Sequence, residues 1–170
     1  HGPSAHYVAE TVVPKGKETL PEVVFVENEA NLGFAKGNNQ GIEWAVETGF
    51  DYVYLLNNDA KLHPDAIKEA VKVAEEDATI GATQSLLLLW KKPDVINSTG
   101  NDIHYLGFGL TKDYGLPISS TKFSMVDGDI GYASGAGVLS RTSVLKEVGC
   151  LETFYWMYHE DLELGWRMRL

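Results

Sequence analysis

Tyr52-Val53-Tyr54-Leu55-Leu56-Asn57-Asn58-Asp59 is the stretch on which the reading of this chain turns. Five consecutive apolar and aromatic residues, stopped by three polar ones, predict a buried strand that ends in a turn. Upstream, Val23-Val24-Phe25-Val26 follows Pro21 as a second short buried strand. Asn28 to Gly33 reads as a turn. Ala35, Ile42, Ala45 and Val46 then recur at helical spacing, with Gly49 as a stop. Downstream, Pro64 suits the first positions of a helix, and Ile67, Ala70, Val71 and Ala74 give that helix one apolar face. Ile80 to Leu89 reads as a third strand. Strand, helix, strand, helix, strand predicts βαβ units and a parallel sheet covered on both faces.

Beyond this half the pattern loosens. Residues 93–133 are rich in Gly, Ser, Asn and Asp and read as irregular loops with short strands. Gly131 to Ser140 is small and apolar. Arg141 to Val148 reads as a short helix ending at Gly149, and a last helix starts near Glu160 after the aromatic run Phe154 to Tyr158. Residues 1–21, broken by Pro3, Pro14, Gly16 and Pro21, read as an irregular lead-in.

The chain has 170 residues, enough for one domain with a hydrophobic core; 44% are hydrophobic and 22% charged, a soluble globular balance. A net charge of -10 argues against the basic surface that nucleic acid or an anionic membrane selects. A phosphate-bearing ligand stays open, because backbone N–H groups or a bound cation can supply positive potential. The lone Cys150 permits no intrachain disulfide and fits a reducing compartment. The apolar run Leu86 to Trp90 is far short of the ~20 residues of a membrane span, and His1 to Ala9 lacks the layout of a signal peptide.

Three segments can carry chemistry. Asn57-Asn58-Asp59 stands at the C-terminal end of a strand, the edge at which open α/β sheets bind ligands. Asp59 there can hold a divalent cation, with the amides of Asn57 and Asn58 and water completing an oxygen shell; the same three residues also suit an ordinary turn. Asn31-Leu32-Gly33-Phe34-Ala35-Lys36-Gly37-Asn38-Asn39 leads from strand to helix, where N–H groups can receive phosphate. It lacks the dinucleotide and phosphate-loop spacings, and close packing of helix on sheet explains its glycines equally. Glu160 and Asp161 start the last helix, where the helix dipole favours carboxylates. One of them can act as a general base, or both can simply stabilise the helix. Glu163 and Arg167 have the spacing of a surface ion pair. The aromatic run beside them suits sugar rings or core, and some of its members are expected to be buried.

Taken in order, these segments resemble the family-2 glycosyltransferases of the GT-A fold. Asn31 to Gly41 is similar to the N-x-G-F-A-x-G-x-N-x-G segment. Tyr54 to Ala60 is similar to the L-L-N-N-D version of the D-x-D metal motif. Tyr158-His159-Glu160-Asp161 through Arg167 is similar to the aromatic-x-x-E-D-x-x-L-x-x-R segment, and Ser134-Gly135-Ala136 stands where the family has its S-G-A strand. The similarity runs from about Pro21 to the end and is nearest the rhamnosyltransferase-like branch, which builds cell-surface polysaccharides.

The resemblance implies an α/β fold, a Rossmann-like sheet with helices on both faces. It implies an inverting transfer from a nucleotide-diphosphate sugar to a saccharide or lipid-linked saccharide acceptor. Asp59, with Asn57, would bind Mg²⁺ or Mn²⁺. Asp161 would be the base, with Glu160 supporting it. Asn31, Gly33, Asn38, Asn39 and Asn58 would belong to the donor side, and Ser134, Gly135 and Ala136 would line the donor-sugar and acceptor region. The location implied is cytoplasmic, at most peripheral on the inner membrane face.

The chain departs from the family at both ends, so one partial catalytic domain over 1–170 is expected, with a nucleotide and metal side over 22–92 and an acceptor side over 93–170. Its sheet would lack the first strand and much of the second, and a homo-oligomer could cover the exposed edge. A non-catalytic fragment or binding module that keeps the fold is the alternative function. A nucleotidyltransferase is a third reading, but its glycine- and basic-rich opening motif is not in the sequence.

Overall fold

The computed structural model describes residues 6–9, 24–120 and 129–170. Its centre is a three-stranded sheet of β3 (Tyr52–Leu56), β9 (Gly137–Arg141) and β4 (Ala82–Gln84), in the order β3-β9-β4. The expected parallel sheet is corrected here: β9 runs antiparallel to both neighbours. β3 and β4 are therefore parallel to each other with β9 inserted between them. Local patterning could not reveal this, because β9 comes from the far end of the chain.

Alternation along β3 explains why helices cover both faces. Val53 and Leu55 pack with α1 (Gly33–Thr48), α3 (Thr142–Val148) and α4 (Glu160–Arg169), in a core of Ala35, Ile42, Leu145, Leu151 and Leu164. Tyr52 and Tyr54 face the other way, onto Ala70 and Ala74 of α2 (Ala66–Glu76) and Leu139 of β9. Full burial of a side chain such as Ile42 contributes about 1.5–3 kcal/mol. Arg141 fastens α2 to the sheet: it donates to the carbonyls of Ile80 and Ala74, and its guanidinium lies 5.2 Å from the Tyr52 ring centre.

Helix limits follow their sequence signals. α1 ends at Gly49, whose φ of 90° is the left-handed conformation that glycine adopts freely, and its N–H caps Ala45 O at 3.1 Å. α4 carries Glu160, Asp161 and Glu163 in its first turn and Arg167 and Arg169 in its last, complementing the helix dipole at both ends. The expected Glu163–Arg167 pair is present and bidentate, with both contacts at 2.6 Å. Arg167 also donates to Val148 O and Cys150 O, which holds the end of α3 against α4.

Two further expectations change. The single strand over Ile80 to Leu89 is two, β4 and β5 (Leu87–Leu89), because the chain leaves β9 after Ser85, whose N–H makes the last bond to it, on Gly137 O at 2.9 Å. β5 then pairs with β6 (Lys92–Ser98). β7 (Asn101–Ile103) and β8 (Gly109–Thr111) form a second hairpin beyond it. Within the lead-in, β1 (His6–Ala9) is a strand antiparallel to β2 (Val24–Glu27); the rest of 1–21 lies outside the described residues.

β2 pairs with β1 alone, and the outer edge of β3 has no strand partner among the described residues. Between β2 and β3 runs a groove of about 450 Å³, floored by α1 and lined by Val24, Val26, Ile42, Val53 and Leu55.

Candidate active site

Pairing brings the first acidic motif to its place. Leu56, the last residue of β3, pairs with Gly137, the first of β9, and Asn57 N–H points at Ala136 O across 3.5 Å. The turn closes with Ala60 N–H on Asn57 O at 3.1 Å, leaving Asn58 and Asp59 exposed and Asn57 half-buried. The strand tip therefore lies beside Ser134-Gly135-Ala136, the segment leading into β9.

The second motif reaches the same segment from α4. Asp161 accepts the Gly135 N–H at 3.4 Å through one carboxylate oxygen and the Leu162 N–H at 2.8 Å through the other. Residues 57–59, 134–136 and 161, far apart in sequence, thus meet around one short backbone segment. Burial raises the Asp161 carboxyl above the ordinary carboxylate range, while the Leu162 and Gly135 amides pull it part of the way back. A half-buried carboxylate of raised basicity suits a general base.

Glu160 is different. It is buried, at 4% exposure, and its Oε2 has no hydrogen-bond partner among the described residues. Burial is the main cause that raises its pKa, and the neighbouring Asp161 charge adds to it.

Ser134 is held by a buried polar network that the sequence did not disclose. Gln84 Oε1 accepts from Ser134 N at 2.7 Å and from Asn101 Nδ2 at 3.0 Å, while Gln84 Nε2 donates to Ser98 Oγ at 3.1 Å. Ser98 and Asn101 are buried. Composition alone made residues 98–101 a loop. What marks them as structural is the long-range pairing to Gln84, which no local pattern carries.

Tyr132 was missed as well. Three glycines make room for it. A Cβ on Gly109 would strike its hydroxyl, and a Cβ on Gly165 would strike its Cα and Cβ. A Cβ on Gly131 would meet the backbone of Asn101, Asp102 and Ile103. Tyr132 is thereby wedged between the β7–β8 hairpin and α4, close enough to Asp161 for the carboxylate charge to raise the phenol's pKa, after burial as the main cause. Gly165, inside a helix where glycine is unfavourable, was the available signal.

The Asn31 to Asn39 segment is tied into the fold by hydrogen bonds. Asn31 Oδ1 accepts the Gly33 N–H at 2.9 Å. The free N–H groups of Phe34 and Ala35 at the start of α1 both donate to Trp156 O, at 2.8 and 3.2 Å. Asn38 Nδ2 donates to Phe34 O. Asn39, buried, makes both hydrogen bonds that an amide can offer a peptide group: Nδ2 to Leu151 O at 2.8 Å and Oδ1 from Leu151 N at 3.0 Å. Of the donor-side candidates Asn31 and Asn58 are exposed; Gly33 and Asn39 join α1 to its neighbours, and Asn38 bonds within α1.

The aromatic run also departs from expectation. Phe154, Tyr155, Trp156, Met157 and Tyr158 are all exposed, by 37% to 87%. They lie on a strap in which Trp156 makes a tight turn (φ 57°, ψ -60°), with Met157 N–H on Tyr155 O. Tyr158 and His159 follow with φ of 70° and 71°. Positive φ in non-glycine residues is costly and gathers at functional sites.

As a cation site, the strand tip offers the exposed carboxylate of Asp59 beside Asn57. No group of three His, Cys, Asp or Glu side chains that could hold a metal ion occurs among the described residues. Such a donor set does not cage an ion. It fits a Mg²⁺-type cation that takes one carboxylate and leaves its other positions to phosphate oxygens and water.

The family model described as "Glycosyl transferase family 2" matches residues 9–149. The low-salt glycan biosynthesis hexosyltransferase Agl10 of Haloferax volcanii is 23% identical over 158 residues, covering 87% of this chain and 47% of that protein. The chain thus spans about half the length of the curated relative that it matches. On the extent of the family match, this chain belongs to glycosyl transferase family 2.

Proposed function

We propose that this chain carries the donor-metal and acceptor-base halves of an inverting glycosyl transfer from a nucleotide-diphosphate sugar to a saccharide or lipid-linked saccharide acceptor. One observation carries the reading: the Asn57 amide and the Asp161 carboxylate both attach to the Ser134–Ala136 segment, so two acidic motifs share one edge of the sheet. Asp161 takes the proton of the acceptor hydroxyl as that oxygen attacks the anomeric carbon, and the nucleoside diphosphate leaves from the opposite face. Asp59 and Asn57 would hold Mg²⁺ or Mn²⁺, which neutralises the diphosphate leaving group. Glu160 supports the base from the first residue of α4. The biosynthesis of a glycan, as named for the Haloferax relative, is the setting proposed, with cell-surface polysaccharide as product and a cytoplasmic site of action at the inner membrane face. No helix among the described residues is long and apolar enough to cross a membrane.

Calorimetry of UDP and dTDP with and without Mn²⁺ tests the donor half. Metal-dependent binding that disappears in Asp59→Ala supports it. Asp161→Asn should leave nucleotide affinity within about twofold and lower transfer by about 100-fold or more. Unchanged transfer in that variant removes Asp161 from the mechanism.

A second reading is a chain that keeps the fold without turnover. The groove beside β3 favours it, since one edge of β3 has no strand partner among the described residues, where further strands of a nucleotide site would stand. No binding of either nucleotide at millimolar concentration supports this reading.

A further inference from the structure

The first turn of α1 touches the Asp161 region by two separate routes. Along the first, Gly33 lies directly under Trp156. A Cβ on Gly33 would sit 2.7 and 2.9 Å from ring carbons of Trp156 and 2.8 Å from its carbonyl oxygen, and its φ of 74° already favours glycine. That carbonyl is the one gripped by the Phe34 and Ala35 N–H groups. The strap so held runs through three positive-φ residues, Trp156, Tyr158 and His159, straight into Glu160 and Asp161. A segment with this much unfavourable backbone keeps its path only if its surroundings impose it. Along the second route, the Phe34 ring presses on Gly135: a Cβ there would meet ring carbons at 2.9 and 3.0 Å. Gly135 is the residue whose N–H holds Asp161. One helical turn thus fixes both the strap that delivers the carboxylate and the backbone that receives it.

We propose that Gly33 and Phe34 are positioning residues for Asp161, so that the Asn31 to Asn39 segment serves the acceptor-side base and not the donor phosphates. The inference rests on Asp161 as the base for its functional meaning, but its test does not depend on transfer activity. Neither residue needs to touch a ligand. Each acts through a contact that glycine at 33, or glycine at 135, alone allows.

The experiment is NMR on this chain with labelled backbone and labelled aspartate. It reads two signals: hydrogen-exchange protection of the Gly135 amide, and the pH titration of the Asp161 carboxyl carbon. Gly33→Ala forces the strap away from α1. Protection at Gly135 should fall at least about tenfold, the loss expected when a hydrogen bond to a charged group opens. Loss of the Gly135 hydrogen bond raises the Asp161 midpoint and entry of water lowers it; burial is the larger cause, so the net movement should be down toward the ordinary carboxylate value. Gly41→Ala is the control, since a Cβ there meets nothing within 4 Å; it should change neither signal.

A merely structural role lowers global stability without moving a native-state titration, and that separates the two explanations. Should Gly33→Ala fail to fold, Phe34→Ala, which keeps both N–H donors and removes only the ring on Gly135, decides instead. Movement of both signals in the same directions supports the proposal. Native-like Gly135 protection together with an unmoved Asp161 midpoint, in whichever of the two variants folds, overturns it. Failure of nucleotide binding in the wild-type chain would count against the transferase reading and leave this result standing.

Discussion

Asn39→Ala isolates the role of the asparagine-rich segment. The Asn39 amide spans 112 residues of sequence to grip the peptide groups of Leu151, donating at 2.8 Å and accepting at 3.0 Å. Both ends are buried, Asn39 at 6% exposure and Leu151 at 4%. Alanine removes two hydrogen bonds, each worth about 1 kcal/mol net, and strands the Leu151 N–H and C=O, at about 1–3 kcal/mol for such groups left unpaired. Allowing for partial access of water, the expected loss is about 3 kcal/mol, a factor of roughly 150 in the folding equilibrium. With a urea m-value of about 2 kcal/mol/M, the unfolding midpoint should drop by about 1.5 M.

Asn38→Ala provides the contrast from the next residue. Its amide donates only to Phe34 O, four residues back in the same helix and half-buried, so the change should stay within about 0.5 kcal/mol. A loss below 1 kcal/mol for Asn39→Ala, or equal losses for the two variants, would refute the clamp. Asn39 would then be free for the ligand role that its motif suggested.

Two other perturbations follow from the site. Gln84→Ala removes the shared acceptor of Ser134 N and Asn101 Nδ2 and should cost about 2–4 kcal/mol, with the Ser134 amide losing exchange protection before the rest of β9; uniform loss across the sheet would contradict a local role. Glu160→Gln addresses pH. Burial raises the folded pKa of Glu160 above its unfolded value of 4.5, so the native state binds its proton more tightly than the unfolded chain does. Its favourable contribution is complete below the unfolded value and is lost as pH rises through the folded one. The neutral Gln variant should therefore melt with the wild type in acid and exceed it by about 1–2 kcal/mol at neutral pH; a variant less stable than wild type at neutral pH would mean that the buried carboxylate is satisfied.

Much of this fold was legible because apolar residues recur at the period of the element they build. Tyr52 to Leu56 alternates between two cores, and Ala35, Ile42 and Ala45 mark one side of α1. Helix ends at Gly49 and Gly149, and the start of α4 at Glu160, fall where glycine and acidic residues signalled them. The strand order was not legible. β9 enters between β3 and β4 through pairings that span more than 50 residues, and period-2 patterning says which faces are buried, not which neighbour supplies the hydrogen bonds.

The same limit governs the site. Carboxylates at a strand tip and at a helix start stand out in the sequence, and the fold brings both segments to Ser134–Ala136. The role of the asparagines could not be read from sequence, because a primary amide presents one donor and one acceptor to a peptide group as readily as to a ligand; the fold turns Asn39 onto Leu151. Tyr132 escaped because its importance lies in what surrounds it. Gly109, Gly131 and Gly165 each forgo a side chain so that the ring or its backbone can approach, and for Gly165 that means accepting a helix penalty of about 0.5–1 kcal/mol. Glycines therefore point to the close contacts around Asp161, Gly33 under Trp156 and Gly135 under Phe34 among them. In this chain the residues without side chains mark the surroundings of Asp161 more sharply than the polar motifs do.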